Sequence, residues 1–319
     1  MSGGSSAAAA ATPARTSATE PARRVVGQSL PRRIAFLGFG LIGGSIARAL
    51  RAVDPSIQLT AWTPDGHGPG EGRRLGILDR TAPTAVDALE GTELVVLAGP
   101  PLVVLDHLRD LGGQWHDRIP PGATITDVAS TKGAILATAS QAGLAFVGGH
   151  PMAGREISGV AASMADLFVD RPWVIVPASG AGDGDIARVE ALAIAAGARP
   201  IRMTADAHDR AVAAISHLPL VVAAALVEAV SGGADWPLAR DLAATGWGDM
   251  TRLARGDPDM GAGILATNTA AVAGRLRELR DALDTWIQAL EADAAGTDVA
   301  SLRARLAAAR AALDTGSTR

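Results

Sequence analysis

The chain predicts an α/β fold, an N-terminal doubly wound Rossmann-type sheet followed by an all-α C-terminal dimerisation domain. Three observations carry this expectation. Short apolar runs alternate with helix-length segments over residues 33–203, the βαβ signature of a doubly wound sheet. A glycine motif, Gly38-x-Gly40-x-x-Gly43, directly follows the first of those runs. After residue 203 the strand punctuation stops and long Ala-rich apolar stretches take over.

The expected strands are 33–37, 57–62, 93–98, 123–127, 144–148, 172–176 and 199–203. Several are continuous apolar runs, as strands covered on both faces require. Between them, 42–52, 101–111, 131–142 and 184–196 are long enough for crossover helices. Further on, 205–230, 236–254 and 259–294 read as helices, and 298–314 as a final amphipathic helix with Val299, Leu302, Leu306 and Leu313 at helical spacing. The helices of this half are too apolar all round for single-faced surface helices, so a homodimer formed through them is expected. The domains drawn from this pattern are a dinucleotide-binding domain over 31–203 and a helical substrate and dimerisation domain over 204–315. Residues 1–30 are Ala, Ser, Gly, Thr and Pro with scattered Arg; they cannot build a core and read as a disordered tail. A transit peptide has a similar look, but Glu20 and the run of plain alanines fit a tail better. The chain stops six residues past Leu313, so no appended regulatory domain is expected.

Composition narrows the function classes. Of 319 residues, 48% are hydrophobic, enough for a sizeable core. The net charge of −4 gives no electrostatic footprint for nucleic acid. No run of 18 purely apolar residues suggests a membrane span. Cysteine is absent, which excludes disulfide and thiolate chemistry and fits a cytoplasmic protein. Among 29 basic residues only Lys132 is a lysine. It either stands where a compact ammonium is needed or survives by chance on the surface. His67, His107 and His116 are expected in loops or on exposed helix faces, and no histidine pair has the i,i+4 spacing of a helical metal site, so no metal is expected.

The glycine motif has a mechanical reading. Gly38 permits the tight turn, Gly40 lets the backbone approach a pyrophosphate, and Gly43 allows close helix–strand packing. Leu41 and Ile42 occupy the first turn of a helix whose N-terminus favours an anion. The alternative is a glycine-rich turn without a ligand. For NAD the second strand should end in an acid; Thr63 holds that position, with Asp65 two residues on. A neutral residue there removes repulsion against a 2′-phosphate, and Arg73 or Arg74 could approach one. NAD and NADP both stay open, with NAD slightly favoured.

The most informative stretch is 148–159, Gly-Gly-His-Pro-Met-Ala-Gly-Arg-Glu-Ile-Ser-Gly. It pins His150 at the end of an apolar run, between a glycine pair and a proline. A neutral imidazole with a pKa near ~6.5 suits proton transfer at pH 7. The alternative is a histidine that merely caps a strand.

Here the chain resembles the prephenate/arogenate dehydrogenase family of tyrosine biosynthesis. The matching stretches are Gly38-Phe-Gly-Leu-Ile-Gly-Gly-Ser45, Thr126-Asp-Val-Ala-Ser-Thr-Lys-Gly133, Gly149-His-Pro-Met-Ala-Gly154 with Glu156 and Gly159, His208-Asp209 with Ser216-His-Leu-Pro219, and Asp249-Met-Thr-Arg-Leu-Ala254 with Asn268. The resemblance implies oxidative decarboxylation: hydride leaves C4 of a cyclohexadienol for a nicotinamide, a base takes the hydroxyl proton, and carbon dioxide departs from C1. It makes His150 the base. Ser130 hydrogen-bonds the same hydroxyl or orients His150, and can equally cap a helix. Arg252 binds a substrate carboxylate bidentately, unless it is a plain surface arginine. His217 sits near the substrate side chain, or is a satisfied core histidine. Lys132 faces cofactor or substrate, Glu156 stands near the pocket entrance, and His208-Asp209 is structural, at a helix start. The site is expected in a cleft between the domains. Leu220 and Gly248 depart from the family pattern at positions where a second histidine and a basic residue are common. No residue decides between prephenate and arogenate. Two rivals remain: a lysine-dependent 3-hydroxyacid-type dehydrogenase, for which Lys132 lies at the wrong end of the chain, and a non-catalytic nucleotide-sensing protein.

Overall fold

The computed structural model describes residues 30–155, 157–291 and 299–314. The expected N-terminal tail, apart from Leu30, lies outside them. The chain divides into two compact units. One is drawn from Met1–Gly99, Asp106–Ala129 and Thr138–Met203, the other from Pro100–Leu105, Ser130–Ala137 and Thr204–Arg319. The second unit thus also takes two short segments from the first half of the chain.

The first unit is built on one eight-stranded sheet: β1 Arg33–Leu37, β2 Gln58–Trp62, β3 Arg80–Thr81, β4 Leu94–Leu97, β5 Thr124–Asp127, β6 Phe146–Pro151, β7 Pro172–Pro177 and β8 Arg199–Arg202. Their order is β3-β2-β1-β4-β5-β6-β7-β8. The first six run parallel; β7 pairs antiparallel to β6, with His150 opposite Val174, and β8 follows β7 in parallel. This is a doubly wound sheet with two reversed strands at one edge. The central strands are apolar or β-branched because helices cover both faces; all four residues of β4 are buried. The crossover helices include α1 Leu41–Val53, α2 His67–Arg74, α3 Ala85–Leu89, α4 Pro101–Gly112, α5 Gly133–Gln141 and α6 Asp183–Ala195. In α1, Ile46, Ala47, Ala49 and Leu50 pack into a core shared with Ile34, Phe36, Leu59 and Val96. Phe36 meets Phe39 edge to face at 5.5 Å.

One histidine is not where the sequence places it. His107 on α4 is buried, 6% exposed, against the rings of Trp62 and Trp115 at 5.9 and 6.0 Å. Burial pushes its pKa down, against the pull of Asp110 and Asp106. His67 and His116 are exposed, as expected.

The second unit is helical: α7 Ala205–Val212, a π turn Ala213–His217, α8 Leu218–Ser231, α9 Trp236–Asp241, α10 Thr245–Thr251, α11 Pro258–Thr267, α12 Thr269–Glu291 and α13 Val299–Asp314. The π turn has a local cause. Pro219 lacks the N–H that would reach residue 215 and its ring crowds that carbonyl, so the helix widens for one turn instead of breaking. Ala205–Ser231 is therefore one continuous helix of 27 residues that contains an 18-residue window of mean hydropathy 1.9, long and apolar enough by composition to cross a membrane. In α8 only Ala223 is buried, and Ile215, Leu238 and Leu242 are 69%, 66% and 74% exposed. Uncovered apolar surface of this extent is common at association sites.

Candidate active site

The carboxyl ends of β1, β2, β4, β5 and β6 lie on one edge of the sheet, because these strands are parallel. That edge, at the switch point between β1 and β4, is where doubly wound sheets bind ligands. Gly38 has φ +94°, and a Cβ there would stand 2.7 Å from the carbonyl carbon and oxygen of Ala98 at the end of β4. Only glycine fits. A Cβ on Gly43 would meet Ala98 Cβ at 3.4 Å, so this glycine seats α1 against the sheet. A Cβ on Gly40 would meet nothing within 4 Å. Gly40 is instead the N-cap of α1 and offers no side-chain cap, and the first turn holds no acid. The free backbone N–H groups and the helix dipole there suit a pyrophosphate. Leu41 and Ile42, half-buried, form the opening turn. Gly44, not singled out from the sequence, has a packing role: a Cβ would meet Val160 Cγ2 at 2.8 Å. The residues present thus fit a dinucleotide.

Thr63 follows β2 and donates its hydroxyl to Asp65 at 2.9 Å; the same carboxylate accepts the His67 N–H at 3.1 Å. The Thr63 bond, then the His67 bond, hold Asp65 below the usual carboxylate range. Arg73 donates to the Leu78 carbonyl and Arg74 pairs with Glu71.

His150 is the penultimate residue of β6 and is half-buried. The preceding glycine is required: a Cβ on Gly149 would lie 2.6 Å from the Asp127 carbonyl oxygen and 3.0 Å from Trp173 Nε1. Asp127, fully buried at the end of β5, accepts the Gly149 N–H at 3.0 Å on one oxygen and the Ala129 N–H at 3.0 Å on the other. Its side chain thereby carries the β5–β6 pairing up to His150, a role the sequence reading missed.

In the helical unit, Lys132 is fully buried, which rules out the surface survivor. Its backbone N–H and that of Gly133 donate to the two oxygens of Asp209 at 2.8 and 2.7 Å. Asp209 therefore serves the α5 N-terminus, and half-buried Ser130 stands two residues before that point. Burial works to raise the Asp209 pKa, but bonds from His208, Gly133 and Lys132 outweigh it and hold the carboxyl low. His208-Asp209 lies in the first turns of α7, opened by the Thr204 cap. His217 ends the π turn, buried, and Asn268 Nδ2 lies 3.2 Å from its Nδ1. Thr131 and Thr267 hydroxyls share a bond at 2.8 Å. Arg252 is exposed at the head of a 3₁₀ turn, Arg252–Arg255, directly after α10. Glu156 lies outside the described residues.

A cavity of about 480 Å³ lined by Arg48, Arg51, Ile77 and Ser163, among others, lies along α1. Arg51 in it is held by the carbonyls of Pro55, Ile57 and Ile77 and by Asp79, a structural tie. At ~1.5 Å per residue these arginines are two to three turns from the glycine cradle.

A doubly wound sheet with a glycine cradle at its switch point and a histidine on the same edge defines a dinucleotide-dependent dehydrogenase. Residues 46–202 match the nucleotide-binding domain of prephenate dehydrogenase, and residues 204–305 its dimerization domain. The chain is similar to the prephenate dehydrogenase of Bacillus subtilis, 31% identical over 81% of this chain and 68% of that protein. It is also similar in structure to Synechocystis arogenate dehydrogenase, with a TM-score of 0.73 and 29% identity over 89% of this chain and 99% of that one. The fold is shared with prephenate dehydrogenase from Aquifex aeolicus in complex with hydroxyphenyl propionate and NAD+, with a TM-score of 0.79 and 24% identity over 88% and 98%. The chain belongs to the prephenate dehydrogenase family. The apolar helix Ala205–Ser231 falls within the stretch matched to the dimerization domain.

Proposed function

We propose that this protein oxidatively decarboxylates a cyclohexadienol of tyrosine biosynthesis, prephenate to 4-hydroxyphenylpyruvate or arogenate to tyrosine. The observation that carries the reading is the placement of His150 on the same sheet edge as the glycine cradle of Gly38, Gly40 and Gly43. A bound nicotinamide supplies the hydride acceptor for the C4 hydrogen. His150, as neutral imidazole, takes the proton of the 4-hydroxyl. The electron pair of the breaking C1–carboxylate bond completes the aromatic ring as carbon dioxide leaves. Ser130 hydrogen-bonds the hydroxyl or orients His150. Arg252 holds a carboxylate with its planar guanidinium. His217 faces the substrate side chain, and Lys132 contributes positive charge toward cofactor or substrate.

NAD is the preferred cofactor in this reading. The Asp65 carboxylate just beyond Thr63 would repel a 2′-phosphate, and Arg73 and Arg74 are tied to Leu78 and Glu71. The protein works as a homodimer through its helical unit, in keeping with the exposed Ile215, Leu238 and Leu242. A cysteine-free chain suits the cytoplasm. The lysine-dependent rival requires that the buried Lys132 act as acid and base in place of His150.

The test follows reduced-nicotinamide absorbance with prephenate and arogenate, each paired with NAD and NADP. Turnover with NAD, falling roughly 10²-fold or more in His150→Asn, is expected, the scale of general acid–base catalysis. No turnover in any pair refutes the reading, and full activity in His150→Asn moves the chemistry to Lys132.

A further inference from the structure

His217 is 1% exposed and ends the π turn of the long helix, a distortion that recurs at functional sites. The Asn268 side-chain nitrogen donates to the Asp209 carbonyl oxygen at 2.8 Å and lies 3.2 Å from His217 Nδ1. An amide nitrogen only donates. The Asp209 contact therefore fixes which way the amide faces, and the second contact makes Nδ1 of His217 the acceptor. Burial pushes the His217 pKa down to about 4, with Asp209 pulling up and His208 pushing further down. The ring is neutral at physiological pH, and its one proton sits on Nε2. Nε2 is buried and has no hydrogen-bond partner among the described residues. A buried donor left unanswered is costly, so this atom is held ready for an acceptor from outside the protein.

Resting on the reading that His217 faces the substrate, we propose that its Nε2–H, fixed in that tautomer by Asn268, recognises the keto oxygen of the substrate side chain and so selects the keto acid prephenate over the amino acid arogenate. The keto oxygen answers the donor, whereas the carboxylate is common to both substrates and does not discriminate between them. An ammonium carries only donors and cannot answer it. Nor can the ring switch tautomer to receive it, because a proton on Nδ1 would point at the Asn268 N–H. His217 is a specificity-determining residue and Asn268 its positioning residue.

The test compares kcat/KM for prephenate and arogenate in wild type, His217→Ala, His217→Gln and Asn268→Asp. Wild type should prefer prephenate by roughly 10- to 10²-fold, the worth of one buried hydrogen bond to an oxygen. His217→Ala should bring the ratio near one. His217→Gln, which carries an amide N–H close to the Nε2 position, should restore much of it. Asn268→Asp accepts a proton from Nδ1, leaves a lone pair on Nε2, and should swing the ratio toward arogenate. Long-range proton–nitrogen NMR of imidazole-labelled wild-type protein reads the tautomer without turnover and does not depend on the variants folding. It should show neutral Nε2–H at pH 7, with that resonance shifting on addition of 4-hydroxyphenylpyruvate. A proton on Nδ1, equal kcat/KM for the two substrates, or an unchanged ratio in His217→Ala overturns the proposal. Absence of turnover with both substrates refutes instead the dehydrogenase reading beneath it.

Discussion

Gly38 and Gly40 are two residues apart in one motif, yet substitution at each should fail in a different way. In Gly38→Ala the new side chain must adopt φ +94° and press within 2.7 Å of the Ala98 carbonyl. Backbone strain of this kind costs about 1–3 kcal/mol and overpacking about as much again, so roughly 2–5 kcal/mol of stability should be lost. For a chain of this size that is about 3–7 °C in Tm. In Gly40→Ala the Cβ meets no protein atom within 4 Å, and the backbone there has negative φ. Its Tm should stay within about 2 °C of wild type, the usual range for a substitution that touches nothing. The methyl group instead occupies the space through which a pyrophosphate approaches α1, so NAD affinity should fall roughly 10- to 10²-fold, the equivalent of a lost charge-assisted contact. Differential scanning fluorimetry and calorimetric titration with NAD separate the two effects. Equal loss of stability in both variants, or undiminished NAD binding by Gly40→Ala, refutes the assignment of the cradle.

Other consequences follow from the buried polar groups. The folded protein resists protonation of His217 until about pH 4, while the unfolded chain accepts that proton near pH 6.5. Stability should therefore fall as pH drops through this window, by about 3 kcal/mol in all; urea melts at pH 7 and 4.5 should show a shallower fall in His217→Gln. His107, whose pKa is also lowered by burial, adds to the loss in the same direction. Asp127→Ala strands the Gly149 and Ala129 N–H groups, which should cost roughly 2–5 kcal/mol in chemical denaturation and lower kcat more than it alters NAD affinity, because the β6 segment bearing His150 loses its clamp. Arg252→Lys should raise KM for the cyclohexadienol roughly tenfold by replacing a bidentate fork with a point charge; an unchanged KM would place Arg252 outside the site.

The elements legible in the sequence are those whose burial repeats with a period. β1, β4 and β5 lie within runs of continuous apolar or β-branched residues, and the structure moves their ends by a residue at most. β3 is two exposed residues, too short to carry any period. The helix His67–Arg74 reads His-Gly-Pro-Gly-Glu-Gly-Arg-Arg, where glycine content hides the helix and packing against Phe39 imposes it: a Cβ on Gly72 would meet the Phe39 ring at 2.5 Å. The reversal of β7 depends on register, which no local pattern encodes. The misplaced His107 did carry a signal. Val104, His107, Leu108 and Leu111 recur at i, i+3, i+4 and i+7 and all four are buried, but the flanking Asp106 and Asp110 made the face look wet. In the glycine cradle, Gly38 and Gly43 were legible because each backbone demand leaves few residue choices. Asp127 and Asn268 stand in stretches that carry the family resemblance, but their roles were not legible, since their partners Gly149 and His217 lie 22 and 51 residues away in sequence.

The measurement that bears most directly on the central claim is the stoichiometry of a single turnover of prephenate with excess protein and NAD. Reduced nicotinamide, carbon dioxide and 4-hydroxyphenylpyruvate should appear one to one to one, with all three suppressed together in His150→Asn. Reduced nicotinamide formed without release of carbon dioxide, or equal yields and rates in the variant, would contradict the account.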